Sequence, residues 1–377
     1  MTTTATSAPA PQNFQDFVGT RAVSTQHAFD VATLTAWLQQ HLEGFAGPLT
    51  VELFKGGQSN PTYKLITPSQ VYVMRAKPGP VALLLPSAHA IEREYKVMSG
   101  LAGTDVPVPR MYCLCTDESV IGRAFYVMEY MAGRVLWDQS LPGLDNAQRS
   151  AIYDDMNRVI AALHKVKFAE RGLADYGKPG NYIERQIGRW SKQYRASADG
   201  QGPMSQPIAE MERLMEWLPA HIPASGRDER FTSIVHGDYR LDNLMFHATE
   251  PRAIAVLDWE LSTLGHPLAD FSYHCMSWHI EPGAFRGLHG VDVKSLGIPT
   301  EEEYIRKYLE RTQLTSFDAL MADWNFYLAY NLFRMAAILQ GIAKRVEAGT
   351  ASSEQAVASG RGARPMAELG WHFAQRA

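Results

Sequence analysis

One stretch of sequence, IVHGDYRLDNLMF at residues 234–246, decides the fold of this 377-residue chain. About a dozen residues later the chain reads VLDWE, at residues 256–260. In both segments, polar side chains stand beside short apolar runs: Asp238 and Asn243 in the first, Asp258 in the second. The spacing Asp-x-x-x-x-Asn, followed by an Asp after an apolar strand, is the spacing that phosphoryl-transfer loops use.

These three residue types suit phosphoryl transfer because that reaction depends on positioning and on neutralising phosphate charge. Asp238 would lie beside an acceptor hydroxyl and take its proton. Asn243 and Asp258 would hold a metal ion from two sides, and hard oxygen ligands suit Mg²⁺ better than zinc. The sequence therefore predicts Asp238 as the catalytic residue and Asn243 with Asp258 as the Mg²⁺ ligands.

Composition excludes several other classes of protein. Hydrophobic residues make up 46% of the chain, charged residues 20%, and the formal net charge is −4, which argues against a dedicated nucleic-acid binder. Three cysteines are too few for a disulfide framework, so we predict free thiols. No apolar run approaches the roughly 18 residues of a membrane helix, and the N-terminus lacks the features of a secretory signal. We therefore expect a cytoplasmic protein with no membrane partner.

The pattern of apolar residues divides the chain in two. A helix over 27–45 precedes three short antiparallel strands at 51–54, 62–66 and 71–74, then a helix near 91–100 and two strands at 110–115 and 124–130. After residue 132 the pattern is mostly helical, apart from the strand-rich segment 234–258. We predict a disordered lead-in at 1–20, a sheet-rich lobe at 21–131 and a helical lobe at 132–377.

Here the sequence resembles the aminoglycoside phosphotransferase family. HGDYRLDN at 236–243 matches the family's loop, VLDWE carries its metal-binding aspartate, and GHPLAD at 265–270 is similar to a further family element. The resemblance covers roughly residues 40 to 345, following the two-lobe plan. It implies an α+β, protein-kinase-like two-lobe fold. It also implies transfer of the γ-phosphoryl group of ATP, with Mg²⁺, to a small-molecule hydroxyl.

A narrower resemblance concerns the acceptor. VMRAKP at 73–78, LPSAH at 85–89, EREY at 92–95 and YNLFR at 330–334 are similar to the phosphotransferase domain fused to some eukaryotic acyl-CoA dehydrogenases. That branch implies a hydroxyacyl acceptor, an anionic CoA ester such as a 4-hydroxyacyl-CoA. An aminoglycoside, choline-like or sugar kinase is the alternative, and a nucleotide-binding pseudokinase is an alternative of another class. The oligomeric state stays open.

The family plan also assigns residues to the nucleotide. The segment between the first two strands contains Gly56, Gly57 and Ser59, small residues that let backbone approach phosphate oxygens. The sheet-rich lobe ends at MEYM, residues 128–131, where the resemblance implies backbone contacts with adenine from Glu129 and Met131.

A cation paired with a helix glutamate is expected on the third strand. The family usually has Lys there, whereas this sequence has Arg75, with Lys77 two residues further on the same face of an extended strand. We predict that Arg75 binds phosphate, since arginine keeps the charge and binds phosphate bidentately, with Lys77 as the alternative. Glu94 is the expected partner and Glu92 the second choice.

Four nearby residues are assigned structural roles. His236 is predicted to pack the loop, because Asp238 already supplies the base. Asp270 is predicted to brace the loop, Trp259 to lie in the core or the cleft wall, and Asp242 to face solvent.

Four basic residues recur along one predicted helix face, at positions i, i+4, i+7 and i+10: Arg185, Arg189, Lys192 and Arg195. They form either a solvated face or an anion site for the phosphates of a substrate. Only this feature of the sequence favours an anionic acceptor over a polycationic antibiotic.

Overall fold

The computed structural model describes residues 19–55, 60–78, 90–283, 287–351 and 354–377. Most of the predicted lead-in thus lies outside the described residues. The N-terminal part forms a six-stranded antiparallel sheet in the order β1-β2-β3-β4-β6-β5. Its strands are β1 (Thr20–Arg21), β2 (Thr50–Phe54), β3 (Thr62–Ile66), β4 (Val71–Ala76), β5 (Met111–Cys115) and β6 (Phe125–Glu129). The five predicted strands are confirmed.

Two helices cover the two faces of this sheet, α1 (Val31–His41) and α2 (Ile91–Leu101). Side chains alternate along a strand, so Phe125 and Val127 pack with α1 in a small core while Tyr126 packs with α2 in the main core. The helix predicted over 27–45 is shorter because the Asp30 carboxylate caps its start, accepting from the Ala32 amide at 2.8 Å.

Five short strands follow within the second part of the chain. They are β7 (Gly133–Val135), β8 (Ser233–Val235), β9 (Leu244–His247), β10 (Ala253–Val256) and β11 (Thr263–Gly265). Strand β9 pairs with both β7 and β10, and β8 pairs with β11. The loop after β8 and the loop after β10 carry the residues that the sequence analysis singled out.

Helices build the rest of the second part. They are α3 (Asn146–Lys165), α4 (Tyr182–Ser197), α5 (Ala209–Ala220), α6 (Pro267–Cys275), α7 (Glu301–Thr312), α8 (Phe317–Glu347), α9 (Glu354–Arg361) and α10 (Ala363–Ala374). Asp145 and Gln148 form a capping box at the start of α3. Helix α8 is buried along most of its 31 residues and contacts α4, α6 and α10.

All three cysteines are free, as predicted, and all three are buried. Within the described ranges, no helix is both long and apolar enough to cross a bilayer.

Gly133 opens β7, where the chain leaves the first sheet and pairs with β9. A Cβ there would lie 2.5 Å from the Phe246 carbonyl oxygen, so Gly133→Ala forces the two strands apart. We expect it to lower the free energy of unfolding by about 1–3 kcal/mol, measured by urea unfolding. Gly188→Ala is the matched control: this α4 position has open space around it, so alanine should add about 0.5–1 kcal/mol. Equal midpoints for Gly133→Ala and wild type would contradict the packing at this junction.

Candidate active site

A buried carboxylate holds the loop between β8 and β9 in place. Asp270, in the first turn of α6, accepts hydrogen bonds from the amides of His236 and Gly237, each at 2.8 Å. His164 Nε2 lies 3.1 Å from the same carboxylate. Gly237 has φ +81°, and a Cβ on it would lie 2.8 Å from the Leu261 carbonyl oxygen, so no other residue fits without strain. Asp270 thus braces the loop, as predicted.

His236 and Trp259 serve the loop rather than the reaction. The His236 ring accepts from the Asp238 amide through Nδ1 at 3.2 Å and donates to the Leu257 carbonyl through Nε2 at 2.8 Å. Trp259 is buried and donates from its indole to the Val256 carbonyl at 2.9 Å. Both ring nitrogens of His236 are engaged, so the predicted structural roles of both residues are confirmed.

The Asp238 side chain is held at both oxygens and keeps 22% of its surface exposed. Tyr273 donates its hydroxyl to Oδ1 at 2.6 Å, and Asn243 donates Nδ2 to Oδ2 at 3.0 Å and to the Asp238 backbone carbonyl at 2.7 Å. Arg240 Nε lies 3.3 Å from Oδ1. The carboxylate therefore has one defined orientation and remains open to a ligand.

Sequence reasoning missed Tyr273 and Arg240. Tyr273 follows Asp270 by three residues, and residues three apart share one face of a helix, so both side chains reach the loop from α6. Arg240 alternates with Asp238 and Asp242, and Arg240 Nη2 lies 3.3 Å from Asp242 Oδ2. The prediction that Asp242 faces solvent is wrong. Its side chain is only 7% exposed and forms an ion pair with Arg240.

Asp258 adopts a left-handed conformation, with φ 61° and ψ 61°. Such a backbone costs a non-glycine residue about 1–3 kcal/mol and recurs at functional sites. Its side chain is 36% exposed. The neighbouring Leu257 amide donates to the Asn243 carbonyl at 2.8 Å, so the turn that carries Asp258 is tied to the loop that carries Asn243.

Arg75 connects this turn to the sheet. Its guanidinium lies 2.8 Å from Asp258 Oδ1 through Nη2 and 3.1 Å from Glu94 Oε2 through Nε. Glu94 is 1% exposed and also accepts from Asn60 Nδ2 and the Tyr126 hydroxyl, each at 2.9 Å. Burial raises the pKa of Glu94, and Arg75 opposes that rise. Burial lowers the pKa of Arg75, but the neighbouring groups, Glu94 foremost, outweigh burial and raise it.

Lys77 belongs to a separate ion pair with Glu92, and its side chain is one-third exposed. Strand β4 ends at Ala76, so the alternation that would place Lys77 beside Arg75 stops there. The predicted Arg75–Glu94 pair is present, and the alternative residues pair with each other.

Of the residues assigned to adenine, Glu129 ends β6 and exchanges hydrogen bonds with Arg110: its amide donates at 2.8 Å and its carboxylate accepts at 3.1 Å. Met131 follows the strand, and among the described residues its amide has no hydrogen-bond partner. Gly56, Gly57 and Ser59 lie outside the described residues.

The four basic residues predicted to share one helix face have different surroundings in the structure. Arg185 donates to backbone carbonyls, at 2.6 Å to Lys178 and also to Gly180, so it ties down the chain before α4. Arg189, Lys192 and Arg195 are exposed.

Asn243 and Asp258 carry the candidate oxygen ligands for a metal ion. Asn243 commits its Nδ2 to Asp238, which leaves its amide oxygen, and Asp258 contributes a carboxylate. Carboxylate and amide oxygens fit Mg²⁺, which takes few protein ligands and shares the rest of its coordination with phosphate and water.

The sequence of the loop between β8 and β9 lies within a long match to a known family. A model of the phosphotransferase enzyme family matches residues 50–304. The chain belongs to this family. Acyl-CoA dehydrogenase family member 10 of Mus musculus is 46% identical to this phosphotransferase over 347 residues, which are 90% of the chain and 31% of that protein. The chain spans less than half the length of the curated relatives it matches. Both the family and its branch, as predicted from sequence, are confirmed.

Solved structures confirm the protein-kinase-like, two-lobe α+β fold of this phosphotransferase. A Ralstonia eutropha protein, provisionally named an aminoglycoside phosphotransferase, is 62% identical, has a TM-score of 0.83, and matches 93% of this chain and 99% of its own. The ternary complex of streptomycin, ATP and an aminoglycoside phosphotransferase is 15% identical with a TM-score of 0.53, covering 85% of this chain and 97% of that one. The second likeness shows a common fold alone.

Asp270→Asn tests the brace beneath the loop. Burial alone would raise the pKa of Asp270, but His164 and the loop amides hold it below its ordinary 3.8. A lowered pKa stabilises the folded state above the unfolded pKa, and that contribution is lost as the pH falls through the folded pKa. The substitution should therefore cost about 2–3 kcal/mol at pH 7, and the cost should shrink below about pH 4.

Urea unfolding at several pH values measures this difference. Asp175→Asn is the control, since its ion pair with Lys96 is exposed to solvent and should contribute little to stability. A cost for Asp270→Asn that stays constant down to pH 3 would show that its charge does not stabilise the loop.

Proposed function

We propose that this phosphotransferase moves the γ-phosphoryl group of ATP to the hydroxyl of a small-molecule acceptor, with Asp238 as the catalytic base. The observation that carries the proposal is the geometry of Asp238. Tyr273 and Asn243 orient its two carboxylate oxygens, the side chain stays partly exposed, and the Asn243–Leu257 bond joins it to Asp258. A fixed, accessible carboxylate beside an oxygen donor set is what this reaction requires.

In the proposed reaction the acceptor hydroxyl donates a hydrogen bond to the Asp238 carboxylate. As the bond from that oxygen to the γ-phosphorus forms, the bond to the β–γ bridging oxygen breaks. ADP leaves, and the hydroxyl proton ends on Asp238. When bound, Mg²⁺ neutralises phosphate charge, and Asn243 and Asp258 would hold it.

The nucleotide would lie between the sheet and the catalytic loop. Arg75 would bind the α- and β-phosphates while the buried Glu94 holds its guanidinium in place. Gly56, Gly57 and Ser59 would cover the phosphates. Support for ATP comes from the aminoglycoside phosphotransferase of the same fold that was solved with streptomycin and ATP. We assign the contacts with adenine to the backbone of Glu129 and Met131.

We assign the acceptor to the hydroxyacyl class, as a free acid or a CoA thioester. Support comes from the curated relatives, which carry the name acyl-CoA dehydrogenase. The Ralstonia protein's name favours an aminoglycoside as the second candidate. A polycation is disfavoured beside Asp238, however, because Arg240 already lies 3.3 Å from that carboxylate.

Asp238→Asn should lower kcat by about 10²- to 10⁴-fold, because a positioned base contributes that much, while nucleotide affinity is kept. ADP release with Mg²⁺ and ATP across hydroxyacyl-CoAs, hydroxy acids, choline, sugars and aminoglycosides measures the first quantity. Nucleotide titration measures the second. Wild type and Asp238→Asn with equal rates on every acceptor would indicate a pseudokinase.

Arg75→Met should raise the KM for ATP by at least about 10-fold, since a charged hydrogen-bond donor to phosphate is lost. Arg75→Lys should keep most of the affinity because it keeps the charge. Lys77→Met is the matched control and should change KM less than about threefold, since Lys77 pairs with Glu92 at the surface. The assignment would be wrong if Lys77→Met were the damaging variant.

A further inference from the structure

Helix α8 brings a buried cation to the catalytic loop. Arg334 is 5% exposed, and its Nη2 donates a hydrogen bond to the carbonyl of Gly237, the residue before Asp238. The YNLFR segment that marks the narrow branch in the sequence ends on this arginine. Its position makes it part of the surroundings of Asp238, although nothing in the proposed reaction uses its charge.

The charge of Arg334 is incompletely compensated. Among the described residues, no carboxylate forms an ion pair with its guanidinium, and its buried Nε has no hydrogen-bond partner. Besides the Gly237 carbonyl, the guanidinium faces two aromatic rings, with Cζ 4.9 Å from the Tyr273 ring centroid and 5.5 Å from that of Trp190. A buried cation that forms no ion pair is costly, which points to a partner that arrives with a ligand.

Arg240 differs from Arg334 in its ion pairs and in its exposure. Its guanidinium lies 3.3 Å from Asp238 and 3.3 Å from Asp242, and its side chain is 39% exposed. Its charge is therefore already matched. Of the arginines Arg75, Arg240 and Arg334, Arg334 is the one for which the described residues provide no carboxylate ion pair.

Tyr273 contacts both Arg334 and the proposed base. Its ring packs against the Arg334 guanidinium, and its hydroxyl donates to Asp238 Oδ1 at 2.6 Å. A molecule whose hydroxyl meets Asp238 would have its neighbouring atoms along the Tyr273 ring, toward Arg334. The side chains of Tyr273 and Trp190 are largely apolar and buried, which suits a short carbon chain.

We propose that Arg334 binds the acyl oxygen of the acceptor, a carboxylate or a thioester carbonyl on the same carbon chain as the phosphorylated hydroxyl. This inference rests on the proposed function and names the residue that selects the acceptor class. An acyl oxygen supplies the acceptor that the buried guanidinium lacks. A neutral diol supplies no acyl oxygen, and a polycation repels the guanidinium.

The test compares three acceptors of one chain length on the full chain: 4-hydroxypentanoate, its CoA thioester and 1,4-pentanediol. ADP release gives kcat and KM for wild type, Arg334→Gln and Arg334→Lys. Arg213→Gln is the matched control, because Arg213 also lies over an aromatic ring, that of Trp371, but is half-exposed.

Arg334→Gln should raise KM for the preferred acyl acceptor about 10- to 100-fold and change kcat/KM for the diol less than threefold. Arg334→Lys should recover part of the loss, and Arg213→Gln should match wild type. Preference for the free acid or the thioester identifies which acyl oxygen is bound. Equal losses on all three acceptors would overturn the proposal, since Arg334 would then only hold the Gly237 carbonyl.

A binding measurement separates this inference from the proposed function. In the Asp238→Asn chain, calorimetric titration with the acyl compounds should give measurable affinity that is lost on adding Arg334→Gln. No binding of either acyl compound to a folded Asp238→Asn chain would overturn the role of Arg334. ADP release with any other acceptor would then still support phosphoryl transfer, whereas no ADP release with any acceptor would contradict the proposed function itself.

Discussion

The Arg75 guanidinium joins parts of the molecule that lie 183 residues apart in sequence. It reaches from β4 to Glu94 on α2 and to Asp258 after β10. Because Glu94 is buried, its charge is tolerated only with Arg75, Tyr126 and Asn60 around it. The sheet, the helix and the turn are therefore held in one relative placement.

A second set of buried polar contacts supports the catalytic loop from the other side. Asn331 of α8 donates to the Ala269 carbonyl and to Ser272, at 3.0 and 2.8 Å, which holds α6 against α8. Helix α6 in turn supplies Asp270 beneath the loop and Tyr273 at the Asp238 carboxylate. Helix α8, the longest helix of the described chain, thus positions the loop through its contacts with α6.

Local sequence signals were sufficient where one element acts alone. The strands of the first sheet and the capping box of α3 were predicted correctly, because alternation and capping are local patterns. The bracing role of Asp270 was also predicted correctly, although it joins α6 to a distant loop. The helix predicted over 27–45 was too long because periodicity does not mark the Asp30 cap as the true start. The prediction for Asp242 was wrong because the burial of its side chain depends on Arg240. The conformation of the loop sets the direction of the Arg240 side chain.

The sequence by itself determined the family, the two-lobe fold and the residues Asp238, Asn243 and Asp258 as the candidate chemistry, since their spacing along a short segment is enough to specify the loop. Only the tertiary structure decided that Arg75 rather than Lys77 meets Glu94, that Tyr273 holds Asp238, and that Arg334 reaches the loop without a carboxylate partner. These are contacts between side chains on elements far apart in sequence. Spacing along the chain does not predict which faces of these elements contact each other, because the packing of the sheet, α6 and α8 determines those contacts.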